Sequence, residues 1–255
     1  MDDSDLAAAV DTNYWESFRL MAASCGGDVL EQDGVLSIAT GVPVAMLNIA
    51  FVTGPLVRPG RALETAVDFF ESRSLPFVVR VREGVDTVTE EAAEKAGMPY
   101  SDTVPGMALH PVTEPPPGPA DLEIITVRDA SSLALFQQAA ADGFGMPLAI
   151  AETLFAAELL RQEGVELYVG LRDGQPVAAS TLNVTASTAG VYNVATVPDH
   201  RRRGIGEAMT WHCVSRGLEL GCSLAVLQAS EMGRPVYERM GFRTVAPYRT
   251  FHRPE

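Results

Sequence analysis

The chain has 255 residues, and 33 acidic side chains against 19 Lys and Arg give it a net charge of −14. A hydrophobic content of 47% and a charged content of 20% are typical of globular domains and exclude a disordered or fibrous chain. The acidic balance also argues against nucleic acid as a partner, because phosphates are bound by clustered cations.

The sequence carries no sign of export or of membrane insertion. No apolar run approaches the roughly 18 residues that a membrane-spanning helix needs. The start, MDDSDLAAAV, is acidic where a signal peptide is basic. The cysteines Cys25, Cys213 and Cys222 are too few and too scattered for a disulfide framework or a zinc site. We therefore expect a cytoplasmic protein with no membrane partner and no metal.

A proline-rich segment divides the chain. Five prolines fall within residues 111–119, where they favour an extended spacer over a helix or a central strand. Residues 1–120 hold 18 acids and 7 bases, whereas residues 121–255 hold 15 acids and 12 bases. We predict one domain over residues 1–110, a linker over 111–120 and a second domain over 121–255.

The two predicted domains resemble each other weakly. The first opens with a helix whose apolar residues, from Leu6 to Met21, are predicted to pack on that domain, and a strand is predicted over 44–51. Residues 70–79, 93–98 and 107–111 resemble stretches about 142 to 144 residues further on. A near-constant offset predicts two copies of one fold, with the first copy trimmed. The alternative is two unrelated halves of similar composition.

The second domain alternates predicted strands and helices, which indicates an α/β fold with a mixed sheet and helices on its faces. Asp129 is a candidate N-cap, Asp173-Gly174 a tight hairpin turn and Gly221 the residue after a long helix. The predicted strands are 122–127, 166–172, 175–184, 189–197, 223–228, 242–245 and 248–252. The predicted helices are 128–141, a second one ending near 162, 204–220, and a short one ending at Met240-Gly241.

A basic, glycine-containing loop precedes the long helix. Arg201, Arg202 and Arg203 are followed by Gly204 and Gly206, which let the backbone come close to a ligand. The helix start adds unpaired N–H groups and a positive dipole end, so the loop predicts a phosphate or diphosphate site. Neither GxxxxGK[ST] nor GxGxxG is present. The alternative is a basic turn that merely starts a helix.

The loop resembles a known family signature. Arg201–Gly206 matches the Q/R-x-x-G-x-G/A loop of the GCN5-related N-acetyltransferases, and residues 229–242 match their second signature, a short helix ending in Y-x-x-x-G-F. The resemblance covers residues 121–255. Residues 53–61 of the first domain lack RxxGxG, and Ala93 stands in the place of Tyr237. The arrangement resembles tandem acetyltransferases with one complete and one degenerate domain.

The resemblance implies an enzyme that transfers an acetyl group from acetyl-CoA to a primary amine by direct attack on the thioester. Tyr237 would donate a proton to the CoA thiolate, and a backbone N–H near Val194 or Ala195 would polarise the thioester carbonyl. The cofactor-binding positions that it implies are Ala195, Thr196, Val197, Arg202, Arg203, Gly204, Ile205, Gly206, Glu207, Ser230 and Gly233.

The acceptor is a small-molecule or peptide amine, whose predicted contacts are Phe144 and Met146. The family often uses a strand glutamate as general base, but residues 191–196 hold no carboxylate. The base is therefore left unassigned: Asn193 or Tyr192 could position a water, and Glu166 or Asp142 could approach from neighbouring elements. The missing carboxylate also favours the alternative function, a non-catalytic acyl-CoA-binding or sensing module. The oligomeric state is open, with a homodimer as one candidate.

Overall fold

The structure is a computed structural model that describes residues 1–85, 87–113 and 115–252. Residue 114 of the predicted linker and residues 253–255 lie outside the described residues. The helices are α1 (Asp3–Ser24), α2 (Pro59–Glu71), α3 (Thr87–Lys95), α4 (Ala130–Phe144), α5 (Leu148–Leu154), α6 (Ile205–Glu219) and α7 (Arg234–Arg239). The strands are β1 (Asp28–Gln32), β2 (Val35–Ala39), β3 (Asn48–Val52), β4 (Val78–Arg82), β5 (Tyr100–Leu109), β6 (Glu123–Thr126), β7 (Val165–Arg172), β8 (Gln175–Thr185), β9 (Thr188–Thr196), β10 (Leu224–Gln228) and β11 (Arg243–Phe251).

All of these strands form one sheet, in the order β1-β2-β3-β4-β11-β5-β10-β9-β8-β7-β6. The pairs β3–β4 and β9–β10 are parallel and the remaining pairs are antiparallel, so the predicted mixed α/β fold is confirmed. The last strand of each half lies among strands of the other half. β11 pairs with β4 and β5, and β5 pairs with β10. The two predicted domains therefore share a continuous sheet.

The two halves repeat one order of elements. α2, β4, α3 and β5 follow each other as α6, β10, α7 and β11 do later in the chain. Within the described residues, the first half has no counterpart of β6. Its helix α2 begins at Pro59, which has no N–H, after Arg58 at φ −136°. The first residue of α2 thus lacks the backbone N–H donor that the first residue of α6 has.

The carboxyl-terminal end differs from the prediction. The two strands predicted over 242–245 and 248–252 are one strand, β11, with a register shift between Thr244 and Ala246. A bulge absorbs one residue without ending the pairing, and it lets Pro247 lie opposite Pro105 in the sheet. The predicted second helix is also shorter, because α5 ends at Leu154 and a 3₁₀ turn follows over Ala157–Arg161.

The opening helix α1 covers the centre of the sheet and holds both halves. It packs on Val78 of β4, whereas α2 and α3 pack on Val79, so the two groups of helices lie on opposite faces. The Asn13 amide donates to the Asn183 carbonyl at 3.1 Å, and the Tyr248 hydroxyl donates to Asp11 at 2.6 Å. The prediction that α1 packs on the first domain is confirmed, and the helix also packs on β10 and β11 of the second half, because long-range contacts decide where an amphipathic helix lies. Within the described part of the chain, no helix has the length and apolarity to cross a membrane.

Candidate functional site

A groove of about 710 Å³ opens between the end of β9, the head of α6 and the helix α7. Its size is within the range of ligand-binding clefts. The lining residues are Gly143, Phe144, Val194, Ala195, Thr196, His200, Arg201, Arg202, Gly204, Ile205, Gly206, Glu207, Ser230, Met232, Gly233, Val236, Tyr237 and Arg239.

One wall of the groove is an edge of β9 that no neighbouring strand pairs with. The parallel pairing of β9 with β10 ends at Gly190 and Val226, whereas β9 continues to Thr196 and pairs there only with β8. A bulge in β9, with Asn193 in the left-handed region at φ +52°, follows the point of separation. Bulges redirect backbone groups. Beyond Gly190, β9 therefore offers main-chain groups to an extended ligand.

The second wall is the head of α6. Arg202 at φ +59° and Gly204 at φ +75° turn the backbone into the helix. The first helical hydrogen bond runs from the Ala208 N–H to the Gly204 carbonyl at 3.0 Å. The N–H groups of residues 205–207 precede that bond and have no acceptor within the helix. With the helix dipole, they make a site for an anion.

Arg201 has a different role from that of its neighbours. Its guanidinium donates to the Thr196 carbonyl at 3.0 Å and to the Gly143 carbonyl at 2.8 Å. It thereby joins the loop to β9 and to the end of α4. A Cβ at Gly143 would lie 2.7 Å from the Ala195 Cβ, so only glycine allows this close approach. Sequence reasoning missed Gly143, because its partner is 52 residues away.

Tyr237 lies on α7 with its ring against the apolar core and at 6.0 Å, between centroids, from the Phe242 ring. Burial raises the pKa of Tyr237 to about 12, and a hydrogen bond with Thr210 opposes part of that rise. The Thr210 hydroxyl donates to the Gly206 carbonyl at 2.9 Å, so it links Tyr237 to the head of α6. No sequence pattern indicates Thr210, because it lies inside a helix.

Ser230 and Gly233 shape the turn that leads into α7. The Gly233 N–H donates to the Ser230 hydroxyl at 3.1 Å. A Cβ at Gly233 would lie 3.0 Å from Cε2 of Tyr237, so the absence of a side chain there leaves room for the phenol ring. Both residues line the groove beside Tyr237.

The structure brings most of the predicted site residues together. The predicted positions that line the groove are Phe144, Ala195, Thr196, Arg202, Gly204, Ile205, Gly206, Glu207, Ser230, Gly233 and Tyr237. Val197, Arg203 and Met146 are not among the lining residues. The Val197 N–H donates to the Val177 carbonyl at 2.9 Å, which holds it to β8, and Met146 is partly buried against the hydrophobic cluster that includes residues of α4.

The two carboxylates considered as a general base, Glu166 and Asp142, are not among the groove-lining residues. Glu166 is held by Arg216, whose guanidinium lowers the pKa of that carboxyl, and Asp142 accepts from Gln138 at 2.9 Å. The Tyr192 hydroxyl donates to Asn13 at 2.6 Å. Of the described residues that line the groove, only Glu207 is acidic. Among the described residues, no cluster of three or more His, Cys, Asp and Glu could hold a metal ion.

The sequence model of the acetyltransferase (GNAT) family matches residues 134–242, a segment that contains all the groove-lining residues. No curated protein matches the sequence. Solved structures match the fold over nearly the whole chain. A GCN5-related N-acetyltransferase from Kribbella flavida is 19% identical with a TM-score of 0.76, and the match covers 97% of this chain and 96% of that one.

Two further structures are similar. A GCN5-related N-acetyltransferase from Sphaerobacter thermophilus has a TM-score of 0.62 and 18% identity, over 89% of this chain and 76% of that one. A tandem GNAT protein from the clavulanic acid biosynthesis pathway has a TM-score of 0.59 and 16% identity, over 85% and 77%. Members of the family use acetyl-CoA, and acyl transfer is their general reaction. This chain has the fold of these solved structures, and residues 134–242 match the acetyltransferase (GNAT) family model.

Proposed function

We propose that this protein transfers an acetyl group from acetyl-CoA to a primary amine, by direct attack of the amine on the thioester, in the groove between β9 and α6. The observation that carries the proposal is that three features line one groove: an unpaired strand edge, free N–H donors at a helix head, and a protonated phenol. Each suits a different part of acetyl-CoA.

The helix head fits a diphosphate. The N–H groups of Ile205, Gly206 and Glu207 precede the first helical hydrogen bond, and Arg202 adds a guanidinium at the groove. The side chain of Glu207 is acidic, so we assign it a backbone contact only. Arg203 does not line the groove, and we assign it long-range attraction of the anion rather than a contact.

The open edge of β9 fits the pantetheine arm. The edge of β9 at Ala195 and Thr196 borders a space without a neighbouring strand, and amide groups of the arm would pair there as an added strand does, with the Thr196 carbonyl also accepting from Arg201. Ser230 and Gly233 border the same space from the turn before α7. Val197 is bonded to β8, so we assign its backbone to positioning this edge.

The chemistry follows from the groups around the thioester. Acetyl-CoA supplies an activated acyl group. A backbone N–H at Val194 or Ala195, redirected by the bulge at Asn193, would donate to the carbonyl oxygen. Tyr237 keeps its proton because its pKa is about 12, and it would donate that proton to the sulfur as the thioester bond breaks. Phe144 borders the groove at the end of α4.

The test is release of free thiol from acetyl-, propionyl- and succinyl-CoA with a panel of amines. We expect turnover with acetyl-CoA and at least one primary amine, and a CoA affinity measurable by calorimetry. The absence of heat with CoA would contradict the proposal. CoA binding without turnover on any amine would favour the second candidate, a non-catalytic acyl-CoA-binding module. This candidate is supported by the lack of a carboxylate in residues 191–196, where a general base is expected.

The proposal includes the division of the chain. We assign residues 1–110 to a trimmed copy of the fold and residues 121–255 to the copy that carries the site. The missing N–H at Pro59 supports a first copy without a diphosphate site. A cytoplasmic location and a homodimer stay predictions from the sequence.

A further inference from the structure

A second cavity, of about 810 Å³, lies on the face of the sheet that α1 covers. It is lined by Tyr14, Phe18, Met46, Arg80, Asp102, Thr103, Val104, Pro105, Gln228, Ala229, Ser230, Glu231, Arg234, Pro235 and Glu238, and we call it the α1-side chamber. Ser230 lines the chamber and the groove alike, so the two meet at the carboxyl end of β10. Residues of both chain halves build this chamber.

Arg80 is a buried cation at the far end of the chamber. It lies on β4 with 4% of its surface exposed, and its Nε atom has no hydrogen-bond partner. Among the described residues it forms no ion pair; the Tyr14 ring lies 5.5 Å from Cζ, and the Asp102 carboxylate in the same lining interacts with Arg80 electrostatically. Burial lowers the pKa of Arg80 to about 10, so it is charged at neutral pH. A buried charge is costly without a hydrogen-bonded partner, which an anionic ligand would supply.

Gln228 is the second group without partners. Both polar atoms of its carboxamide are buried and have no hydrogen bond within the described structure. Buried polar groups are nearly always paired, and this pair of atoms can both donate to and accept from a ligand. Gln228 lies on β10 opposite Gly106 of β5, close to where Ser230 borders the groove.

The sheet sets the distance between these two groups. From β4 to β10 the order is β4, β11, β5, β10, which is about 14 Å across the strands at ~4.8 Å per strand. The two residues are also offset along the strands, because the row of Arg80 crosses β5 at Asp102 and that of Gln228 crosses it at Gly106. The amine and carboxylate of one amino acid lie only about 3.5 Å apart along the chain. A ligand that contacts both ends of the chamber is therefore longer than a single amino acid.

We propose, on the basis of the proposed function, that the α1-side chamber binds the acceptor and that Arg80 selects an elongated amine with a terminal carboxylate, such as a short peptide. Gln228 pairs with an amide in the middle of the acceptor, and the amine reaches the thioester past Ser230. The lining also holds Arg234, which is paired with Glu238 at 2.7 Å, so Arg80 is the one of these two arginines that is left for a ligand. With Asp102 and Glu231 in the same lining, Arg80 suits a singly charged carboxylate better than a phosphate dianion. Glu231, which follows Ser230 in the chain, attracts the ammonium end.

The test compares matched acceptors that differ only in the terminal charge: triglycine with triglycinamide, and 6-aminohexanoate with 6-aminohexanamide. With acetyl-CoA and the full chain, we expect kcat/KM to be about 10- to 100-fold higher for each carboxylate, the effect of a charged hydrogen bond. Arg80→Gln abolishes this preference by lowering only the carboxylate values. Arg61→Gln, a change of the same kind at an exposed residue of α2, leaves the preference unchanged. Arg80→Lys keeps the charge and retains part of the preference, so it tests the inference if the glutamine variant does not fold.

Equal kcat/KM within each pair for the unaltered protein overturns the inference while leaving the proposed function in place. So does a carboxylate preference that survives in Arg80→Gln. If CoA binds but no amine reacts, the proposed function fails on its own. Calorimetric titration of the CoA-loaded protein with triglycine and triglycinamide then decides the inference, since heat with the carboxylate alone supports it and no difference contradicts it.

Discussion

Gly204→Ala tests the geometry at the head of α6. Gly204 holds φ +75°, and the nearest atom to a Cβ built there is Cγ of Pro119 at 3.7 Å. A methyl group therefore has space, and the whole cost is backbone strain. For an L-residue the left-handed conformation costs ~1–2 kcal/mol, which predicts a fall in Tm of about 2–8 °C for a chain of this size.

CoA affinity gives the functional result. If the backbone relaxes toward negative φ, the N–H groups of residues 205–207 turn away from the groove. The loss of one charge-assisted hydrogen bond, worth about 1.5–3 kcal/mol, lowers CoA affinity about 10- to 100-fold. Isothermal titration calorimetry with CoA measures the affinity, and calorimetric unfolding measures the change in Tm.

Gly174→Ala is the matched control. Gly174 also holds φ +75° and has no atom within 4 Å of its Cβ position, but it lies in the β7–β8 hairpin away from the groove. The same loss of Tm is expected there with no change in CoA affinity. If Gly204→Ala binds CoA as tightly as Gly174→Ala does, the backbone donors at the helix head do not hold the diphosphate, and the reasoning is refuted.

Three further predictions concern the phenol and the contact of α4 with β9. Tyr237→Phe lowers kcat by about 100-fold or more with CoA affinity unchanged, because only the proton donor is removed; an unchanged kcat would contradict the assignment. In a spectroscopic pH titration, the unaltered protein shows a tyrosinate signal near pH 12 that the Tyr237→Phe variant lacks. The folded-state pKa of Tyr237 is raised, so the contribution of this residue to stability is complete below pH 10 and is lost as pH rises toward 12. Titration near pH 10 would show that Tyr237 is not buried. Gly143→Ala destabilises the fold by ~1–3 kcal/mol, measured by chemical unfolding, because its Cβ would meet the Ala195 Cβ at 2.7 Å. Gly54→Ala, where the Cβ position is open, is its control, and equal stability of the two variants would contradict this close packing.

Local signals were read correctly from the sequence. Asp129 caps α4 with a hydrogen bond to the Ser132 N–H at 2.8 Å, and Asp173-Gly174 joins β7 to β8. Gly221 follows α6 at φ +87°. Each of these features depends on a few neighbouring residues, so the composition of a short window is enough to predict it.

The glycines and arginines before α6 were also enough to predict an anion site, because a helix head exposes its donors whatever lies around it. Their individual roles were not predictable. Arg201 bonds to carbonyls of β9 and α4, and Arg203 lies outside the groove. Arg201 and Arg203 have the same side chain, and only their distances to elements far along the chain give them different roles.

Sequence alone thus determined the fold class, most elements of the second half and the loop that lines the groove. Only the tertiary structure decided that β5 and β11 lie among strands of the opposite half, that α1 packs on both, and that Arg80 and Gln228 border one chamber. The physical reason is that strand pairing and burial depend on contacts between distant residues. Many strand orders satisfy the same alternation of apolar and polar side chains, and packing of the whole sheet selects one of them.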